Sequence, residues 1–70
     1  MRNDVERLRR ERSWSQEALA THVGVSRQTV NAIEAGRFNP SLPLALRLAR
    51  LFEKPVEEIF FDEGPGRVDP

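Results

Sequence analysis

The chain is 70 residues long, enough for one small domain that buries a modest share of its surface and gains from dimerisation. It has no Cys and a single His, His22, which excludes disulfides and Cys- or His-built metal sites, so no cofactor is expected. The formal charge is zero, but residues 1–50 hold nine Arg against five acids and residues 51–70 hold Lys54 and Arg67 against six acids; a basic body with an acidic end suits one face that meets phosphate and another that meets solvent or a partner.

The apolar spacing is helical throughout the body of the chain. A first helix is expected from Asp4 to Arg12, capped by Asn3, with Glu6 reaching back in a capping box and Val5 and Leu8 as its apolar stripe. Ser15 caps a second helix, Gln16 to Val23, with Trp14 and Leu19 placed as a hydrophobic staple. That position makes Trp14 a structural residue rather than a base-stacking one. Gly24 ends this helix in a left-handed turn, and Ser26 caps a third, Arg27 to Ala35, stapled by Val25 and Val30 and stopped at Gly36. After Arg37-Phe38-Asn39-Pro40, Ser41 caps a fourth helix in which Pro43 costs no hydrogen bond and Leu42, Leu44, Ala45, Leu48, Ala49, Leu51 and Phe52 supply core. A short fifth helix, Pro55 to Ile59, buries Val56, Ile59 and Phe60, and Phe60-Phe61-Asp62 reads as a short strand. Residues 1–63 thus form one all-α domain, and 64–70 read as a flexible acidic tail.

The second and third helices are joined by a turn too short for an antiparallel arrangement, so they must cross steeply, which is the helix-turn-helix outline. On the third helix Val30 and Ile33 point inward together, while Gln28, Asn31, Ala32 and Ala35 share the outer side and Arg27 extends from the first turn. A merely solvated face would carry Glu and Lys. This one carries Arg27 for guanine, Gln28 for adenine, Asn31 as a further amide and a small Ala32 that permits close approach, a set suited to base edges in the major groove of double-stranded DNA. Phosphate contacts are expected from Gln16 at the start of the second helix, from the Ser26 and Thr29 hydroxyls, and from Arg37 and Asn39 in the following loop. For Ser26, capping alone is an equal reading.

The stretch SQEALATHVGVSRQTVNAIEAGRFNPSLPLALRLARLFEKPVEEIF resembles the Cro/CI-type, or xenobiotic-response-element, helix-turn-helix family. The resemblance spans residues 4–61 and is carried by Gln16-Glu17-Ala18-Leu19-Ala20, Gly24-Val25-Ser26-Arg27-Gln28-Thr29, Ile33-Glu34 and Asn39-Pro40-Ser41-Leu42. It is nearest to the compact subgroup similar to the cytolysin repressor, and it implies a five-helix lambda-repressor-like domain. It further implies phosphate binding by Gln16, base reading by Arg27 and Gln28, backbone contacts from Thr29 and Asn39, and an ion pair of Arg9 with Glu34 tying the first helix to the third. A cation for Glu34 is also what burial of a carboxylate demands. Pro55 and Ser13 depart from the family, which more usually has a Ser-type cap and a Gly there. Resemblance to the compact subgroup further implies that Met1 to Asn3 pairs as a short strand with Phe60 to Asp62.

One recognition helix reads only a few base pairs, so a homodimer on a palindromic operator is expected, with Val56, Ile59, Phe60 and Phe61 as its interface. Steric repression follows from such a dimer. An antitoxin-type interaction module that also represses its own operon is the alternative reading. An enzyme is not expected, because no catalytic cluster can be assembled and His22 reads as a solvated side chain. No apolar run approaches a membrane span and MRNDVERLRR lacks a signal-peptide core, so no membrane partner and a cytoplasmic, nucleoid-associated protein are expected. No small-molecule ligand is evident.

Overall fold

A computed structural model describes residues 1–62; the tail expected over 64–70 lies outside the described residues. In chain order the elements are β1 (Arg2–Asn3), α1 (Val5–Glu11), α2 (Gln16–Val23), α3 (Arg27–Glu34), α4 (Leu42–Phe52), a single 3₁₀ turn (Val56–Glu58) and β2 (Phe60–Phe61). β1 and β2 are antiparallel, with Arg2 opposite Phe61 and Asn3 opposite Phe60. Among the described residues the architecture is therefore four α-helices closed by a strand pair, not five helices. No helix among the described residues is long and apolar enough to cross a membrane.

Serine hydroxyls start three of the helices. Ser15, Ser26 and Ser41 each accept a bond from the backbone N–H three residues on, that of Ala18, Thr29 and Leu44, at 3.0, 3.1 and 3.3 Å. Each bond satisfies a donor that the first turn leaves free. The start of α1 differs from expectation. Asn3 is held in β1, where its amide donates to the Ile33 carbonyl at 2.8 Å and its side-chain oxygen accepts from Val5 N. Asp4 takes the cap position without a side-chain cap bond. No capping box forms, because Glu6 pairs with Arg10 at 2.7 Å instead.

All four helices end alike. The N–H of Trp14, Val25, Arg37 and Lys54 donates back to the carbonyl of Arg9, Ala20, Ala32 and Ala49 at 3.0–3.2 Å, each across one left-handed residue: Ser13, Gly24, Gly36 and Glu53. This paired closure satisfies carbonyls that a helix end leaves open. Glycine adopts the left-handed conformation freely, whereas Ser13 and Glu53, both at φ 57°, carry a steric penalty of about 1–2 kcal/mol.

The core lies where α1, α2, α3, α4 and the segment after the 3₁₀ turn meet. Val5, Leu8, Leu19, Val30, Ile33, Leu48 and Ile59 are each at most 2% exposed, and each such side chain contributes about 1.5–3 kcal/mol of burial. Trp14 packs half-buried against this cluster and stacks on the exposed His22 ring at 4.3 Å. His22 is thus an exposed residue with an aromatic partner. Leu42, expected in the core, is 67% exposed, because it opens α4 on the side that faces away from Leu44 and Leu48.

The expected fifth helix shrinks to one turn for a long-range reason. The Ile59 carbonyl accepts from Asp4 N at 2.9 Å, and Phe60 pairs with Asn3, so the chain leaves the helical path at Ile59. Pro55 precedes the turn with an extended backbone, φ −62° and ψ 151°, and does not occupy a first helical position.

Candidate nucleic-acid interface

Three residues, Gly24-Val25-Ser26, separate α2 from α3. The left-handed Gly24 reverses the chain, and Ser26 starts α3 with Oγ bonded to Thr29 N and 3.0 Å from Thr29 Oγ1. Both hydroxyls are therefore committed to the cap, with lone pairs and one proton left over for a further contact. Val30 and Ile33, each 2% exposed, fasten the inner side of α3 to the core. Arg27, Gln28, Asn31 and Ala35 are exposed, while Thr29 and Ala32 are half-buried. The last residue of α3 is Glu34, with Ala35 as its C-terminal cap.

Arg37 does not project freely from the loop. Its Nη2 donates to Asn31 Oδ1 at 3.2 Å, which fixes the Asn31 oxygen toward the guanidinium and leaves the Asn31 NH₂ to donate elsewhere. Asn31 and Arg37 thus stand together as a block of donors. Asn39 is exposed and lies on the rim of a different feature, an apolar groove of about 540 Å³ lined chiefly by Met1, Pro40, Leu42, Ala45, Val56 and Phe60.

The Arg9–Glu34 pair forms with both partners nearly buried, side chains 9% and 5% exposed, and with Arg9 Nε 2.7 Å from Glu34 Oε2. Arg9 Nη2 reaches Oε1 at 3.1 Å, and Nη1 donates to the Trp14 carbonyl at 2.8 Å. The bond to Glu34 holds the Arg9 guanidinium above its ordinary pKa, although burial acts to lower it. Gln16, expected to be free for phosphate, is half-buried and donates from Nε2 to Glu34 Oε1 at 3.0 Å. Only its remaining N–H and its carbonyl stay available.

Ion pairs divide the arginines of the chain into two groups. Arg7 and Arg10 spend their charge locally, against Asp4, Glu11 and Glu6 at 2.7–2.8 Å on α1. Arg27, Arg37, Arg47 and Arg50 pair with no carboxylate among the described residues. Arg47 stands outside the contact residues that the sequence singles out. A Cβ placed on Gly24 would lie 3.5 Å from its Nη1, so the guanidinium rests against the α2–α3 turn. The signal was present in the period of α4, where Arg47 falls beside the inward residues Leu44 and Leu48 on the flank away from Leu42 and Leu46.

Of the four residues expected at a dimer interface, Ile59 is 0% exposed and belongs to the protomer's own core. Val56, Phe60 and Phe61 are half-buried, and the first two line the groove. The apolar residues that do stand out are Met1, Phe38, Leu42 and Leu46, at 41–67% exposure.

Residues 5–59, the whole span from the first turn of α1 to the end of the 3₁₀ turn, match the sequence profile of the helix-turn-helix family. The chain belongs to the Cro/CI-type helix-turn-helix family. It is 45% identical over 64 residues to an uncharacterized HTH-type transcriptional regulator of Archaeoglobus fulgidus, covering 90% of each chain. It is 48% identical over 63 residues to the uncharacterized HTH-type transcriptional regulator YgzD of Bacillus subtilis, covering 90% of this chain and 96% of that one. Among solved structures it is similar to the restriction-modification controller protein C.AhdI from Aeromonas hydrophila, with a TM-score of 0.71 and 36% identity over 80% of this chain and 85% of the other. Membership makes the chain a helix-turn-helix transcription regulator with a DNA-binding domain.

Proposed function

We propose that this regulator is a sequence-specific repressor that binds a palindromic double-stranded operator as a homodimer, with α3 in the major groove. The observation that carries the reading is the exposed side of α3. Arg27, Gln28 and Asn31 lie outside while Val30 and Ile33 anchor the opposite side, so a rigid helix presents one guanidinium and two carboxamides to a partner. Arg27 pairs with guanine O6 and N7, Gln28 with adenine N6 and N7, and Ala32 allows close approach. Gln16, Ser26, Thr29, Arg37 and Asn39 contact the phosphates that frame the groove, and Arg47 beside the α2–α3 turn joins them.

The second copy supplies the second half-site. Its seat is the apolar groove between the start of α4 and the C-terminal segment, where Leu42 takes the place of Ile59 beside the expected Val56 and Phe60. A twofold dimer separates the recognition helices by about 34 Å, one turn of DNA. A dimer so bound excludes polymerase from the promoter. Selection of bound sequences from a random duplex pool tests the reading: inverted half-sites with centres about one turn apart are expected, and recovery of no common sequence would remove the base-reading role of α3.

A further inference from the structure

The Glu34 carboxylate accepts three hydrogen bonds, two from Arg9 at 2.7 and 3.1 Å and one from Gln16 Nε2 at 3.0 Å. Arg9 neutralises the charge and reaches both oxygens, and the bond from Gln16 satisfies a further lone pair of the buried carboxylate. Gln16 is the first residue of α2 and half-buried. Its second N–H and its carbonyl oxygen have no partner among the described residues.

A carboxamide has a donating and an accepting end, and in water a half-turn about its last side-chain bond exchanges them at little cost. Beside Glu34 the two ends are not equivalent. The half-turn would set Gln16 Oε1 against Glu34 Oε1, two acceptors with no proton between them. The nitrogen is therefore held on the Glu34 side. A phosphate oxygen accepts and cannot donate, so only the nitrogen end of Gln16 can bond to it.

We propose that Glu34 is a positioning residue for the DNA backbone. It holds the Gln16 carboxamide by one hydrogen of Nε2 so that the other is offered to a phosphate, while Arg9 cancels the charge that would repel that phosphate. This rests on the reading of Gln16 as a phosphate ligand. Its consequence is that α3, which reads bases with its first turns, also orients with its last residue the group by which α2 grips the backbone. Phosphate contacts set the register of a protein on its duplex, and here that register is tied to the reading helix through one side chain.

A double-mutant cycle on duplex affinity, followed by fluorescence anisotropy, tests the coupling. Gln16→Ala is expected to weaken binding about tenfold or more in the native background, the loss typical of a bond to a charged group. In an Arg9→Met/Glu34→Leu background, where an apolar pair replaces the ionic one, the same change is expected to cost less than about threefold. Equal losses in the two backgrounds overturn the positioning role and leave Gln16 a phosphate ligand. No loss in either background removes Gln16 from the interface and overturns the reading beneath the proposal. NMR of the native protein supplies a measurement that needs no variant: one Gln16 side-chain amide proton should lie downfield of the exposed Gln28 pair and hold its position on DNA addition while the other moves. Both protons resonating with those of Gln28 would overturn the proposal.

Discussion

Replacing Arg9 with Met would leave the Glu34 carboxylate, 5% exposed, with a single bond from Gln16 where it now has three. Removing one partner of a buried pair costs about 3–5 kcal/mol, because the surviving charge is stranded away from water. The pair here is nearly rather than fully buried, at 9% and 5% side-chain exposure, which places the cost toward the lower end, about 3 kcal/mol. A chain of 70 residues has a total stability of about 3.5–10 kcal/mol, so this one substitution removes about three-tenths of it or more. The expected fall in melting temperature is about 12–24 °C. Arg9→Met/Glu34→Leu should recover most of the loss by replacing the pair with apolar contact. Recovery should stop about 1 kcal/mol short, since the bond from Arg9 Nη1 to the Trp14 carbonyl at 2.8 Å is not replaced. Urea unfolding followed by helical circular dichroism and by Trp14 fluorescence measures both variants. A cost below about 1 kcal/mol for Arg9→Met, the range of exposed ion pairs, would refute the description of this pair as buried and structural.

The helix ends supply a stabilising prediction. Ser13 and Glu53 occupy left-handed positions, so Ser13→Gly and Glu53→Gly should each raise stability by about 1 kcal/mol, and a fall in either variant's urea midpoint would mean that the serine or glutamate side chain holds its turn. Gly24→Ala should act the other way, losing about 1 kcal/mol or more from strain at φ 77°, with a correspondingly lower melting temperature. For the partner surface, Leu42→Glu sets a charge at the mouth of the groove, on a residue 67% exposed. Sedimentation equilibrium should show the native chain as the proposed dimer and the variant as a monomer at the same concentration, with unchanged helix content; a variant that associates as the native chain does would move the interface elsewhere.

Most of the local structure was legible because it is set by residues three or four apart. The serine caps of α2, α3 and α4 and the glycine ends of α2 and α3 are read directly from spacing. The inward placement of Val30 and Ile33 follows from helical period alone. What escaped depends on groups distant in sequence. Gln16 looked free for phosphate because its partner Glu34 is 18 residues away. Asn3 looked like an N-cap because nothing local shows its amide bonded to Ile33. The fifth helix read well from Pro55 onward, yet the Ile59 carbonyl is taken by Asp4 and β2 is drawn out by β1, a pairing that only the family resemblance suggested. Ile59 reads from the sequence both as a buried residue of the fifth helix and as partner surface, because the neighbours that enclose it are distant in the chain. Arg47 is not singled out by the net charge of a segment, which hides which arginines already have a carboxylate.

The claim that α3 reads bases is tested most directly by Gln28→Ala on two duplexes, the selected operator and one of unrelated sequence, at the same salt concentration. The Gln28 side chain is exposed and makes no hydrogen bond to another described residue, so the fold should be unaffected. Affinity for the operator should drop by about 1–3 kcal/mol, five- to more than a hundredfold, while affinity for the unrelated duplex stays within about twofold. Equal losses on the two duplexes would contradict base reading by this helix.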